Sequence, residues 1–324
     1  MRPLLLLCLL PVLTLGCTIA DVTIASGEDI PVVEAVLRTG NARQLILLHR
    51  SVGSGSGVEE RGAIVIVRTP EGREIRFQEE RLQAPALSAC GFSTDSEARG
   101  TCYLSPAEVT GFVVPGAVYE LEVTTVRGER LRGRTVVPGS FGWTFVPPPP
   151  PGQVSVCDVP ARQLVPLTWT RSVGARSYVA EISIGGLRDA LAGSGIPAEE
   201  IPDPLELSGL AISETDTTLI VPSEFGLFER FDLDQRLLRV LQEGFPPGAE
   251  SFLALAAADQ NYVNAVRGGS FNPSGPVRIS SVVGDGEGVF GSLNRIFLAL
   301  RVRNGETTCG NVPIEDFGGR LRSR

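Results

Sequence analysis

Apolar and polar residues alternate with period two over Val118-Tyr119-Glu120-Leu121-Glu122-Val123-Thr124, the mark of a strand with one buried face. Val126-Arg127-Gly128-Glu129-Arg130 turns that strand back toward Leu131 and Val136. Upstream, residues 32–37 and 45–48 are short apolar runs bounded by turn residues. Ala63-Ile64-Val65-Ile66-Val67 is a third such run. It meets Thr69-Pro70-Glu71-Gly72-Arg73 and returns as Glu74-Ile75-Arg76-Phe77, which predicts a hairpin. Short strands separated by turns predict an antiparallel sandwich across residues 30–137.

Five consecutive prolines, Pro147 to Pro151, follow. Such a run lacks amide donors and favours stiff polyproline II, so 141–152 is expected to be a rigid linker. Beyond it come Leu164-Val165-Pro166-Leu167-Thr168-Trp169-Thr170 and then Gly174-Ala175-Arg176-Ser177-Tyr178-Val179-Ala180-Glu181-Ile182. A strand with a tryptophan, a short turn and a strand with a tyrosine resemble the second and third strands of fibronectin type III domains. That resemblance implies that Trp169 and Tyr178 fill a core between two sheets. Residues 184–210, rich in Gly and Pro, read as an insertion. Thr217-Thr218-Leu219-Ile220-Val221 reads as a strand. Pro222-Ser223-Glu224 is expected to open a helix, with Ser223 as its N-cap. Phe225, Phe228, Leu237, Leu238 and Leu241 mark its apolar stripe; Gly244 and Pro246-Pro247 stop it. Residues 252–257 and 294–302 read as further strands, the latter as the last.

The expected fold is therefore mostly β, with two tandem antiparallel sandwich domains of immunoglobulin or fibronectin-III type. The divisions are a leader over 1–16, a first sandwich over 17–140, the linker over 141–152, a second unit with a helical insertion over 153–313 and a tail over 314–324.

Charge narrows the function classes. The 29 basic and 37 acidic residues among 324 give a net charge of −8, which disfavours a nucleic-acid binder. Every basic side chain except His49 is arginine; the sequence has no lysine. That excludes a Walker-type phosphate loop and lysine-nucleophile chemistry, and a single histidine excludes multi-histidine metal sites.

The N-terminus carries an address. Arg2 precedes the apolar run Leu4 to Leu10, a pattern that predicts a secretory signal too short to remain as a membrane-spanning helix. Leu13-Thr14-Leu15-Gly16-Cys17 resembles the bacterial lipobox. The resemblance implies that Cys17 becomes the acylated N-terminus, with Thr14 where leucine is commonest. With Thr18 rather than Asp next, it implies outer-membrane sorting on the periplasmic or cell-surface face. Two or three acyl chains suffice for stable anchoring. Cys8 leaves with the leader, so Cys90, Cys102, Cys157 and Cys309 remain in an oxidising compartment. Pairing Cys90–Cys102 and Cys157–Cys309 keeps each bridge within one unit, with about 3 and about 5 kcal/mol expected from the two loop lengths.

Candidate chemistry is sparse. His49 ends a strand beside Arg50-Ser51-Val52, and Gly53-Ser54-Gly55-Ser56-Gly57 does not fit a nucleophile elbow. Asp285 and Glu287 in Gly284-Asp285-Gly286-Glu287-Gly288 are two carboxylates, few for calcium, so a tight glycine turn is expected there. Asp232/Asp234 and Glu199/Glu200 carry no glycosidase signature. Asp259-Gln260-Asn261-Tyr262-Val263-Asn264, Phe271-Asn272-Pro273 and residues 277–291 resemble the C-terminal pattern of an uncharacterised family of outer-membrane lipoproteins. Val282-Val283 stands where that family has Asn-Ile. Its members are often encoded beside TonB-dependent receptors, and no activity comes with the resemblance. The expectation is a non-enzymatic lipoprotein that binds a partner, for which the resemblance implies an outer-membrane receptor, with no cofactor or metal. The alternative is a carbohydrate- or peptide-binding surface lipoprotein; a hydrolase ranks third.

Overall fold

A computed structural model describes residues 29–51, 58–80, 90, 100–225, 233–267 and 279–313. The first strands are β1 (Pro31–Arg38), β2 (Leu45–Arg50), β3 (Val58–Glu59), β4 (Ile64–Arg68), β5 (Glu74–Glu79), β6 (Thr101–Leu104), β7 (Val118–Thr124) and β8 (Arg130–Val136). Next come β9 (Gln153–Val159), β10 (Val165–Thr168), β11 (Ser177–Gly185), helix α1 (Leu187–Ala190), β12 (Leu205–Ser213), β13 (Thr218–Val221) and helix α2 (Gln235–Glu243). The chain closes with β14 (Glu250–Ala258), helix α3 (Gln260–Arg267), β15 (Val282–Gly284), β16 (Glu287–Val302) and β17 (Thr308–Pro313). The protein is mostly β.

Two large hydrophobic cores and two small clusters form among the described residues. The first gathers Val33, Leu37, Ile46, Leu48, Val65 and Tyr119 from β1, β2, β4 and β7. In each of these strands buried positions recur every second residue, as the pleat requires. The second gathers Trp169, Tyr178, Ile182, Leu219, Leu253 and the α2 residues Leu237, Leu238 and Leu241. Here β12, β11, β14 and β16 lie side by side, while β10 and β13 form a separate two-stranded sheet.

Strand β16 serves both cores. Its 16 residues extend roughly 50 Å at strand rise. The first half runs parallel to β1, from Val32 opposite Glu287 to Arg38 opposite Leu293. The second half runs antiparallel to β14, from Ala258 opposite Leu293 to Glu250 opposite Arg301. Its last residues also run parallel to β9. Phe290 belongs to the first core; Leu298, Leu300 and Val302 belong to the second. Val282, on β15 against β8, also joins the first core. Residues from the 153–313 stretch thus complete the unit built by the N-terminal strands.

The glycines of 284–288 make this possible. Gly284 and Gly288 have φ of +124° and +139°, in a region that disfavours other residues. A Cβ at Gly288 would overlap the carbonyl oxygen of Val33, and one at Gly286 that of Pro31. Backbone lies directly on backbone there.

Between its apolar halves β16 is polar and buried. Ser292 and Asn294 are 0% and 4% exposed. Asn294 accepts from Thr39 Oγ1 at 2.9 Å and donates to the Gly139 carbonyl at 2.7 Å. Thr135 Oγ1 lies 2.8 Å from Ser292 Oγ and donates to Asp259 Oδ2 at 2.6 Å. Asp259 also caps α3, accepting from the Tyr262 amide at 2.8 Å, and its burial pushes its carboxyl above the usual range.

Several local expectations are corrected. The expected helix does not begin at Ser223: residues 222–225 are turn, and α2 starts after Asp234, whose carboxylate accepts the Arg236 amide at 2.6 Å. Residues 205–210 of the expected insertion belong to β12, paired to β11; Leu205 and Leu207 alternate with Glu206, a period the surrounding glycines and prolines obscure. The strand through residues 294–302 is not the last, since β17 follows and pairs with β9. Pairing is not wholly antiparallel, because β16 meets β1 and β9 in parallel; alternation reports which face is buried, not strand direction. Within the stretch expected as a rigid linker, Trp143 and Val146 are 7% and 5% exposed and belong to the second core.

Phe290→Ala should cost about 3–5 kcal/mol. Denaturant titration should place the loss in the unit containing Tyr119, although Phe290 lies 171 residues after Tyr119 in the sequence.

Candidate functional site

A groove of about 870 Å³ lies on the outer face of the second unit's sheet, within the size range of ligand pockets. Its floor comes from alternate residues of neighbouring strands. Glu181 on β11 stands opposite Ala254 on β14, which stands opposite Phe297 on β16. One row over, Glu206 on β12, Ser183 on β11 and Phe252 on β14 lie side by side. The opposite face of these strands supplies Ile182, Leu253 and Leu298 to the core, so the pleat directs the groove residues outward.

The prolines form one wall. Trp143 is seated in the core and donates through Nε1 to the Phe297 carbonyl at 3.0 Å. Val146 is buried. Asn311 Nδ2 donates to the Pro147 carbonyl at 3.2 Å, and the Gln153 amide to that of Pro150 at 3.0 Å. Anchored on both sides, Pro147, Pro148 and Pro149 line the cavity. The opposite wall is the start of α1, where Asp203 accepts the amides of Gly186 and Arg188 at 2.8 and 3.2 Å.

Phe252 and Phe297 are stacked, with centroids 5.5 Å apart and planes 16° from parallel. The Arg295 guanidinium lies 5.0 Å above the Phe297 ring, also bonds Asn41, and is partly desolvated, which weakens its hold on its proton. Five carboxylates line the groove, Glu181, Asp189, Asp203, Glu206 and Glu250, against the guanidinium groups of Arg188 and Arg295.

The residues singled out in the sequence lie elsewhere. Cys17 and the segment 53–57 are outside the described residues. Cys90 is bonded to Cys102 and Cys157 to Cys309, with Cα separations of 5.9 and 4.1 Å; the second bridge joins directly opposed residues of β9 and β17. His49 Nε2 is 3.7 Å from Glu34 Oε1 at the end of β2. The Asp285 carboxylate accepts the Arg130 amide at 2.8 Å and so fastens the glycine turn to β8. Among the described residues no group of three or more His, Cys, Asp or Glu could hold a metal ion. Trp169 is 2% exposed, edge-on to Tyr178 at 5.4 Å and to Trp143 at 6.2 Å, so it offers no platform. Sequence reasoning missed the groove because Phe252 sits in an apolar run that reads as a fully buried strand; the run of prolines was the available signal.

It also missed a buried ion cluster. Arg50, 3% exposed, donates to Asp29 at 2.6 Å, Glu60 at 2.9 Å and Glu129 at 2.9 Å. Together these tie the start of the described chain to β2 and to the turn before β8. The cluster holds the Arg50 proton far more tightly than usual, Glu129 most of all. Arg50 in turn is the main cause that keeps Asp29 and Glu129 below the usual carboxylate range.

No protein-family model and no curated protein sequence matches the chain. Solved structures similar to it include the FN1–FN3 domains of chicken CNTN1, at 11% identity and a TM-score of 0.25 over 72% of this chain. A DUF4785 family protein from Legionella pneumophila matches at 10% identity and 0.24 over 69%. A mutant of Salmonella alpha-2-macroglobulin matches at 10% and 0.23 over 89%. The matches span 60%, 51% and 16% of those chains respectively. No helix among the described residues is long and apolar enough to cross a membrane.

The Arg50 cluster sets a pH dependence. A carboxylate lowered in the folded state stabilises the fold above its unfolded value, 4.5 for Glu129; that stability is lost as pH falls through the folded value. Glu129→Gln should therefore destabilise the protein by about 1–2 kcal/mol at neutral pH, and the difference from wild type should shrink in acid. Urea titrations from neutral pH down to about pH 3 check this.

Proposed function

We propose that this chain is a non-enzymatic, lipid-anchored lipoprotein of the bacterial outer membrane that acts as a binding module, with the groove as the place where it holds its partner. The observation carrying the reading is the groove itself: a wide cavity with an aromatic floor, a stiff proline wall and a rim of carboxylates. A wall tied on both sides arrives pre-formed, and a pre-formed site loses less conformational entropy on binding. The lipobox at Cys17 supports the anchor, and the resemblance to receptor-associated lipoproteins supports a partner in an uptake receptor of the outer membrane. The buried Arg50 and Asp259 are both occupied by structural partners, which supports a binding rather than a catalytic role. A second reading is a surface lipoprotein that binds carbohydrate or peptide; the apolar ring edges of Phe252 and Phe297 favour the peptide.

Cys17→Ala should move the protein from the membrane fraction to the soluble periplasm; retention in the membrane would place the anchor elsewhere. Crosslinking in native outer membranes should capture a TonB-dependent barrel with the wild-type protein and at least about fivefold less with Phe252→Ala/Phe297→Ala, the loss expected when about 1 kcal/mol of aromatic contact is removed. Turnover of a glycan or peptide by the purified protein would instead move it to the enzymes.

A further inference from the structure

We infer that the groove receives an extended polypeptide segment of a partner protein carrying basic residues a few positions away from large apolar ones. The inference rests on the reading of the groove as a binding site and gives its ligand a chemical class.

Charge is distributed unevenly across the groove. Glu181 on β11 and Glu206 on β12 make one side acidic, with Asp189 on the adjoining wall. Phe252 on β14 and Phe297 on β16 make the other side apolar. Asp203 accepts amides at the start of α1 and Glu206 accepts from Ser183 Oγ at 2.9 Å; the carboxylates of Glu181, Asp189, Glu206 and Glu250 lie on exposed residues. The five lining carboxylates outnumber the two guanidinium groups. Arg188 is turned to the Ile201 carbonyl at 3.0 Å, and Arg295 is spread over Phe297. The field left in the groove is negative and favours a cationic occupant.

Spacing adds a second constraint. Adjacent strands lie about 4.8 Å apart, so two intervals, from the acidic β12 to the aromatic β14, measure about 10 Å. An extended chain covers that distance in about three residues. A basic side chain and a bulky apolar one three positions apart would meet the two sides together.

The aromatic pair itself argues against a sugar platform. Phe252 and Phe297 face each other, and Arg295 covers Phe297. Ring edges and the neighbouring proline wall remain, surfaces suited to aliphatic side chains rather than to a flat pyranose face.

The test uses the full-length lipoprotein in detergent and a fluorescein-labelled nonapeptide with two arginines near one end and two leucines near the other. Anisotropy should report saturable binding that weakens as salt rises from about 50 to about 500 mM. Glu181→Gln/Glu206→Gln/Glu250→Gln should weaken it about tenfold. Glu108→Gln/Glu120→Gln/Glu243→Gln, which removes the same charge away from the groove, should change it less than about twofold. A peptide with glutamates replacing the arginines should not bind. Equal losses in the two triple variants, equal binding of the glutamate peptide, or no binding of the arginine peptide would overturn the inference. Maltoheptaose or cellohexaose binding that disappears in Phe252→Ala/Phe297→Ala, with no arginine-peptide binding, would overturn the ligand class while keeping the binding-module reading. Failure of every probe together with failure of the crosslinking capture would overturn both.

Discussion

Both hydrophobic cores close on the same strand. Strand β16 gives Phe290 to one and Leu298, Leu300 and Val302 to the other, so neither core is complete without it. The constraint reaches far along the sequence. The first unit draws its closing strand from beyond residue 280, and the glycines at 284, 286 and 288 exist because backbone must touch backbone where that strand arrives. A side chain at Gly286 or Gly288 would push the chain off β1, and one at Gly284 would push β15 off β8, opening the first core.

A strand shared in this way must change partners partway, and the change occurs at Leu293, which faces Arg38 on β1 and Ala258 on β14. Ser292 and Asn294 flank it. Their buried polar groups are met from β8, from the start of α3 and from the backbone at Gly139. An apolar seam at this point could slip by two residues with small loss. A seam of hydrogen bonds with fixed partners cannot slip without leaving buried groups unsatisfied, and each such group costs about 1–3 kcal/mol. The polar middle thus sets register, while the apolar halves supply most of the burial.

Local patterning was legible where one face of a strand is solvated. Residues 118–124 alternate in sequence and form β7 over the same span, and the Ala63–Phe77 hairpin appears as β4 and β5. Legibility fell where both faces are covered. Residues 252–257 read as a strand and lie within β14, but an apolar run does not say which face meets the interior, and Phe252 faces the groove. Long-range pairing was illegible for a different reason. Nothing local distinguishes the parallel approach of β16 to β1 from an antiparallel one, and nothing in residues 17–140 reports a missing strand. The helix start was misplaced because Ser223 and Asp234 are both competent caps, and the choice between them was made by packing of Leu237, Leu238 and Leu241. The proline run was read as a spacer from the stiffness of polyproline; its flanks are pinned to the second unit and it lines the groove.

The parallel pairing of β1 with β16 has a mechanical consequence. The chain enters the fold at the N-terminal end of β1, while the groove lies beside the C-terminal half of β16. Tension applied between those two points runs along the strand axes and pulls the paired segments in opposite directions. Seven consecutive residue pairs then carry the load together in shear, instead of parting one at a time as a peeled edge would. The same pairs would yield far more readily to force applied across the strands.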